Sequence, residues 1–370
     1  MSETAPHETD LVTGVRHWAR ENNLLDTAAW RSGAECGLLS SPLPVTSGGT
    51  GAGFEMTCLA LEAIADESGV GGLPFAFSAH LWAFQSPLAE FGTESQHATY
   101  LMGSLRGEVV GAFAATEPDA GSDLLSLRTK AEPDGSEHWR LTGRKTFVTN
   151  GPTADVFLVL ARTGEGSALG ALTAFLVPRA TAGLVIGEEI PKAALAGARF
   201  NGLRLDDCVV SDRARLGEVG SGFAVLMHAM RYERAFILAP VLGLMARAQR
   251  RAVEYVNSRV QFGQAIGAYD AIRERLVRMY LNLTCAREIL LGSARLADEG
   301  RLDHGRASLT KLSVSNEFTS FSRELPDLYG GYALLPETGA IQLMADALAS
   351  RYYSGTSEMQ IKVIAEGLGL

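Results

Sequence analysis

The chain has 370 residues, of which 46% are hydrophobic and 20% charged, with a formal net charge of −9. That length predicts two or three domains with sizeable cores. An acidic chain without a basic stripe is not a nucleic-acid binder, and no apolar run approaches the ~20 residues that cross a bilayer. The first ten residues, MSETAPHETD, are polar and acidic, unlike a secretory signal. Cys36, Cys58, Cys208 and Cys285 are scattered, with no C-x-x-C and no His at ligand spacing. No metal site is expected, and reduced thiols in a cytoplasm are.

Residues 1–112 read as a mostly helical domain. Apolar residues recur at three-to-four spacing over 10–21 and 55–68, with Leu59, Leu61, Ile64 and Ala65 on one face of the second stretch. Pro44, Gly48, Gly49 and Gly51 break the chain between them. Residues 73–91 carry Phe75, Phe77, Trp82 and Phe84, a core segment or a substrate-pocket wall, with core preferred.

From 113 to 224 the period changes to short β-branched and aromatic runs. These cover 139–142, 145–149, 155–161 and 172–177, punctuated by Gly143, Asn150, Gly151, Pro152 and Pro178. A central antiparallel β domain is expected. Helical periodicity returns over 225–370, in segments 222–258, 271–299, 305–325 and 337–353 with a short terminal helix. Four such segments predict a C-terminal four-helix bundle. The fold class is α+β.

Several stretches carry chemistry. Phe113–Asp123, FAATEPDAGSD, places small hydroxyls beside Pro118 and Gly121; taken alone it reads equally as a surface turn. Glu233 lies on an apolar helical stripe with Ala229, Met230, Phe236 and Ile237 at three and four residues. A carboxylate so placed is either salt-bridged structure or a base whose burial raises its pKa. Pro240 should kink this helix close to it. Arg259-Val-Gln261-Phe262-Gly263 presents a forked cation beside a helix stop.

In this order and over almost the whole chain, these pieces resemble the acyl-CoA dehydrogenase family. The resemblance implies a three-part fold, an FAD cofactor and α,β-dehydrogenation of an acyl thioester. The flavin would be held by Phe113, Ala115, Thr116 and Ser122 of the loop, and by Phe147 and Thr149 of RKTFVTNG. Phe147 replaces the family's usual Trp, keeping a flat ring. Many members place the catalytic glutamate immediately before a Gly-Thr pair; here Ser354 precedes Gly355-Thr356 and cannot serve. A minority, of the isovaleryl- and long-chain type, place the base on the long helix before an arginine. Glu233-Arg234 matches that pattern, so Glu233 is the expected base. Ser122, Arg231, Arg234, Tyr353 and Ser354 are expected at the substrate. Arg259, Gln261, Phe262, Gly330, Gly331, Gly355, Thr356 and Glu358 are expected at the cofactor, part of them across a dimer interface, with Thr356 or Ser357 capping the last helix.

The resemblance further implies a homodimer or homotetramer, and an electron-transfer flavoprotein or other acceptor. Asp270 and Asp327 stand where the family usually has Gln, Ala345 replaces a customary Arg, and Arg231 stands where Asn or Asp is common. An acidic Asp327 near a pyrophosphate would weaken FAD retention unless it is paired. These departures put a free CoA thioester in doubt and raise an acyl group on a carrier protein. Two other readings stay open: an oxygen-using oxidase or monooxygenase on the same fold, and a non-catalytic flavin- or acyl-binding relative.

Overall fold

A computed structural model describes residues 6–25, 29–165 and 168–370. Helices from the two ends of the chain share one core, and a central sheet lays one face against them. The helix Gly53–Ser68 lies against Ala239–Ser258, and their side chains join a single core that also includes Asp270–Asp298 and His304–Tyr329. Gly243 makes this possible: a Cβ there would sit 2.0 Å from the carbonyl oxygen of Glu62. Asp298, at the end of a C-terminal helix, accepts from the N–H groups of Phe54 and Glu55 at 2.6 and 3.1 Å. An N-terminal helix is thus capped by a carboxylate from the far end of the chain. Residues 73–88 are almost entirely buried, as core, and include a π-helical stretch over His80–Gln85.

The sheet has eight strands: β1 (Gly111–Ala114), β2 (Lys130–Pro133), β3 (His138–Thr149), β4 (Val156–Arg162), β5 (Leu172–Pro178), β6 (Leu184–Glu189), β7 (Phe200–Ser211) and β8 (Arg215–Leu216). Their order is β6-β7-β3-β2-β4-β5-β8, with β1 also on β4. The pairing is mostly antiparallel, but β1 and β2 both run parallel to β4. The two runs read separately at 139–142 and 145–149 are one long strand, β3. Gly143 does not end it; the register shifts there, and a Cβ would meet Thr129 Oγ1 at 2.4 Å. Strands β4 and β5 are buried on both faces, which explains their continuous apolar sequence. Val156, Leu158 and Leu160 meet Phe84 and Leu88 of the N-terminal helices on one face, while Phe157 and Val159 pack with Leu141 and Leu203 on the other.

The C-terminal helices depart from the expected bundle in two places. The segment 222–258 is two helices, Gly222–Phe236 and Ala239–Ser258, with Pro240 in the first turn of the second. Proline has no N–H to give the preceding turn, so the chain breaks rather than kinks. The segment 337–353 forms only Ala340–Ala349, followed by a turn and the helix Ser357–Gly367. No described helix is long and apolar enough to cross a membrane.

Candidate active site

The loop after β1 is built around a buried ion pair. Lys145 Nζ, on β3, donates to Glu117 Oε1 at 2.8 Å and to the Ala115 carbonyl at 3.1 Å. Glu117 also accepts from the N–H groups of Arg128 and Thr129, at 2.6 and 2.9 Å. Burial pushes this carboxyl up, but Lys145 and the N–H donors outweigh it and hold it below the ordinary range. The Thr146 N–H reaches the Thr116 carbonyl at 2.9 Å, which ties the loop to β3. Phe113 and Thr116 are half-buried, Ala115 is buried and Ser122 is exposed.

Two residues later the strand bulges. Lys145 pairs with Leu203 and Val148 with Asn201, so β3 spends one residue more than β7 over this interval. The extra residue turns outward. Phe147 takes φ +53° and is 64% exposed, an unusual position for a large ring, while Thr149 is half-buried beside it.

Glu233 sits one turn from the end of Gly222–Phe236, on the face that carries the buried Ala229 and Met230. Its carboxylate is half-buried and accepts a 2.8 Å hydrogen bond from Ser354 Oγ. Burial raises its pKa to about 7, against the lowering effects of the Ser354 bond and the charges of Arg234 and Lys311. Ser354 lies in the turn before the last helix with φ +56°, and Gln360 Nε2 holds the Ser354 and Gly355 carbonyls at 3.2 and 2.9 Å. Thr356, not Ser357, caps that helix, accepting from the Met359 N–H. Glu358 is exposed in its first turn. Arg234 is 8% exposed, and its Nε and Nη1 have no hydrogen-bond partner within the protein. Arg231 bonds the Tyr232 hydroxyl at 3.1 Å and lies 4.8 Å from that ring's centre.

An aromatic chain runs from the residue beside Ser354 to β3. Tyr353 meets Phe75 with ring centres 4.8 Å apart, and Phe75 meets Phe200 at 6.0 Å. Phe200 is the register partner of Thr149. Asn150 Nδ2 also donates to the Ala76 carbonyl at 3.0 Å, which fixes the N-terminal helix between the two halves.

The remaining expected residues gather elsewhere. Arg259, Gln261, Phe262, Gly330 and Gly331 line a groove of about 740 Å³ that includes none of the Glu233, Tyr353 or Ser354 group. Phe262 is 97% exposed, and a Cβ on Gly330 or Gly331 would meet nothing within 4 Å. Arg259 lies 5.4 Å from the centre of the Tyr332 ring. Asp327 does not stand free in this groove: Arg275 bonds it at 2.7 Å, which removes the expected obstacle to a pyrophosphate. Asp270 pairs with Arg273 at 3.3 Å.

Sequence reasoning missed three participants: Lys145, Glu117 and Lys311. Lys311 carried a readable signal, since it falls on the apolar stripe of Ala307, Val314, Phe318 and Phe321 at helical spacing. Lys145 interrupts a strand on its buried face.

The residues present fit a flavin nucleotide. An exposed ring on a bulge and flanking hydroxyls suit a flat heterocycle, while Arg259 and open glycines suit a pyrophosphate. Comparison with known proteins agrees. The acyl-CoA dehydrogenase N-terminal, middle and C-terminal domain models match residues 7–108, 112–208 and 220–369. An L-prolyl-[peptidyl-carrier protein] dehydrogenase of Pseudomonas fluorescens is 35% identical over 92% of this chain and 90% of its own. Among solved structures, the prolyl acyl carrier protein oxidase AnaB superposes with a TM-score of 0.94 at 36% identity, over 99% of this chain and all of its own. PigA with FAD and proline does so with a TM-score of 0.94 at 30% identity, over the whole of both chains. By sequence and fold, the chain belongs to the acyl-CoA dehydrogenase family.

Proposed function

We propose that this protein is an FAD-dependent dehydrogenase acting on an acyl thioester borne by a carrier protein, with Glu233 as the base. The observation that carries the reading is Glu233 itself. It is a carboxylate with a pKa of about 7, hydrogen-bonded to Ser354 and connected through Tyr353, Phe75 and Phe200 to the strand that bears Phe147 and Thr149. The carrier-protein substrate is supported by similarity to the prolyl-carrier-protein dehydrogenase and oxidase above, and the same similarity favours a compact prolyl-type acyl group.

The β1 loop, Phe147 and Thr149 would hold FAD, which when bound would supply the acceptor for the hydride that leaves the acyl β-carbon. Glu233 removes the α-proton. Tyr353 flanks the thioester, and the backbone N–H of Ser354 donates to its carbonyl oxygen, where negative charge develops. Burial keeps the proton affinity of Glu233 high enough for this work. Arg234, with unsatisfied buried donors, orients the bound thioester. The groove at Arg259, Gln261 and Phe262 works between copies: in a homodimer or homotetramer these residues meet the nucleotide held by a neighbouring chain. Electrons leave to an electron-transfer flavoprotein or another acceptor.

A second reading keeps the site and passes the electrons to dioxygen, and it is favoured by the likeness to AnaB, which is described as an oxidase. Anaerobic mixing with carrier-bound thioesters tests the first half of either reading by loss of flavin absorbance. Reoxidation in air then separates them: rapid recovery of the yellow colour without a protein acceptor assigns oxidase activity.

A further inference from the structure

Lys311 is a buried lysine without a bonded carboxylate. It is 2% exposed, on the inner stripe of His304–Tyr329. Its ammonium bonds the Ser350 carbonyl and reaches Ser315 Oγ at 3.4 Å, and it lies 4.9 Å from the centre of the Tyr353 ring. Ser315 Oγ donates to the same Ser350 carbonyl at 2.9 Å. Both residues therefore grip the first residue of the turn whose fifth, Ser354, bonds Glu233. A buried ammonium is costly, and the bonded partners of this one are a carbonyl and a hydroxyl rather than a carboxylate. The acidic group that acts on its charge is Glu233.

We propose that Lys311 is a positioning residue for the base, fixing the 350–354 turn against Glu233 and acting on that carboxylate as a buried cation. The proposal rests on Glu233 being the base. The groups around the pair are accounted for. Arg234, next to Glu233 on its own helix, acts on both members. Tyr353 stays neutral, its hydroxyl pushed well up by burial. His304 and His228 feel the positive charge of Arg231 and are driven towards their neutral forms chiefly by burial. Lys311 itself is pulled well below the usual lysine range by burial, with Glu233 opposing. The two thus titrate together, and the lysine cation and the carboxylate anion stabilise each other.

The test compares Lys311→Arg, Lys311→Met and Lys311→Gln holoenzymes by the pH dependence of anaerobic flavin bleaching, with Glu233→Gln alongside. Gln keeps a donor for Ser350 and serves if the Met variant does not fold. The neutral variants should move the midpoint upward and slow the bleaching below it, a loss that a more alkaline buffer restores. The Arg variant should keep the wild-type midpoint. An unchanged midpoint in a folded, FAD-loaded neutral variant overturns the proposal while leaving the base in place. Normal bleaching by Glu233→Gln overturns the base assignment and this proposal with it.

Discussion

At the scale of single residues, the argument turns on a carboxylate kept close to neutrality by competing forces. Burial raises the Glu233 pKa, while Ser354, Arg234 and Lys311 restrain the rise. The base must be ionised to accept a proton, so bleaching by a fixed substrate should increase as pH rises through about 7, read from stopped-flow absorbance across a buffer series. Stability runs the other way. A carboxyl whose folded pKa exceeds its unfolded value favours the folded state fully below the ordinary glutamate value of 4.5 and loses that contribution as pH rises through about 7. Catalysis and stability pull against each other at this residue. Glu233→Gln should lower the bleaching rate by about a hundred- to ten-thousandfold with FAD still bound. Ser354→Ala removes a donor that favours the anion, and should shift the bleaching midpoint upward with little change in thermal stability.

At the scale of elements, the flavin loop is held from beneath. Its sequence, rich in Gly, Pro and hydroxyls, has little intrinsic preference for one shape, and the Glu117–Lys145 pair supplies the constraint. Lys145→Met leaves Glu117 buried without its cation, and should cost about 3–5 kcal/mol in denaturant unfolding and release FAD on gel filtration. A protein that kept wild-type stability and FAD content would show that the loop holds its shape independently. This anchor was hidden in the sequence because its members lie 28 residues apart, on different elements. Local motifs were legible: the alternating strand runs, the helical stripes, the lone glutamate and the serine before Gly355-Thr356. The β3 bulge was not, since Phe147 occupies a strand-like sequence and only the pairing with β7 shows the extra residue. The break at Pro240 was legible in place but not in degree. Gly243→Ala, where a Cβ meets backbone, should cost about 1–3 kcal/mol by forcing two helices apart.

At the scale of the whole molecule, the expected site residues form two groups rather than one. Tyr353, beside the serine that bonds Glu233, is linked through Phe75 and Phe200 to the strand of Phe147 and Thr149, while Arg259, Gln261 and Phe262 line a separate groove. One sequence cannot show which of its residues serve a neighbouring copy. If the proposed assembly covers the exposed Phe262, Phe262→Asp should both reduce oligomer mass in light scattering and lower FAD content. The central claim is that Glu233 and FAD together oxidise a carrier-bound thioester. Its most direct test is anaerobic mixing of the purified holoprotein with prolyl- and other acyl-carrier-protein thioesters, and with their CoA counterparts, while flavin absorbance is followed. The account predicts bleaching by a carrier-bound thioester, prolyl foremost, and none of comparable speed in the Glu233→Gln protein. Retained yellow colour across both series, with FAD bound, would contradict it.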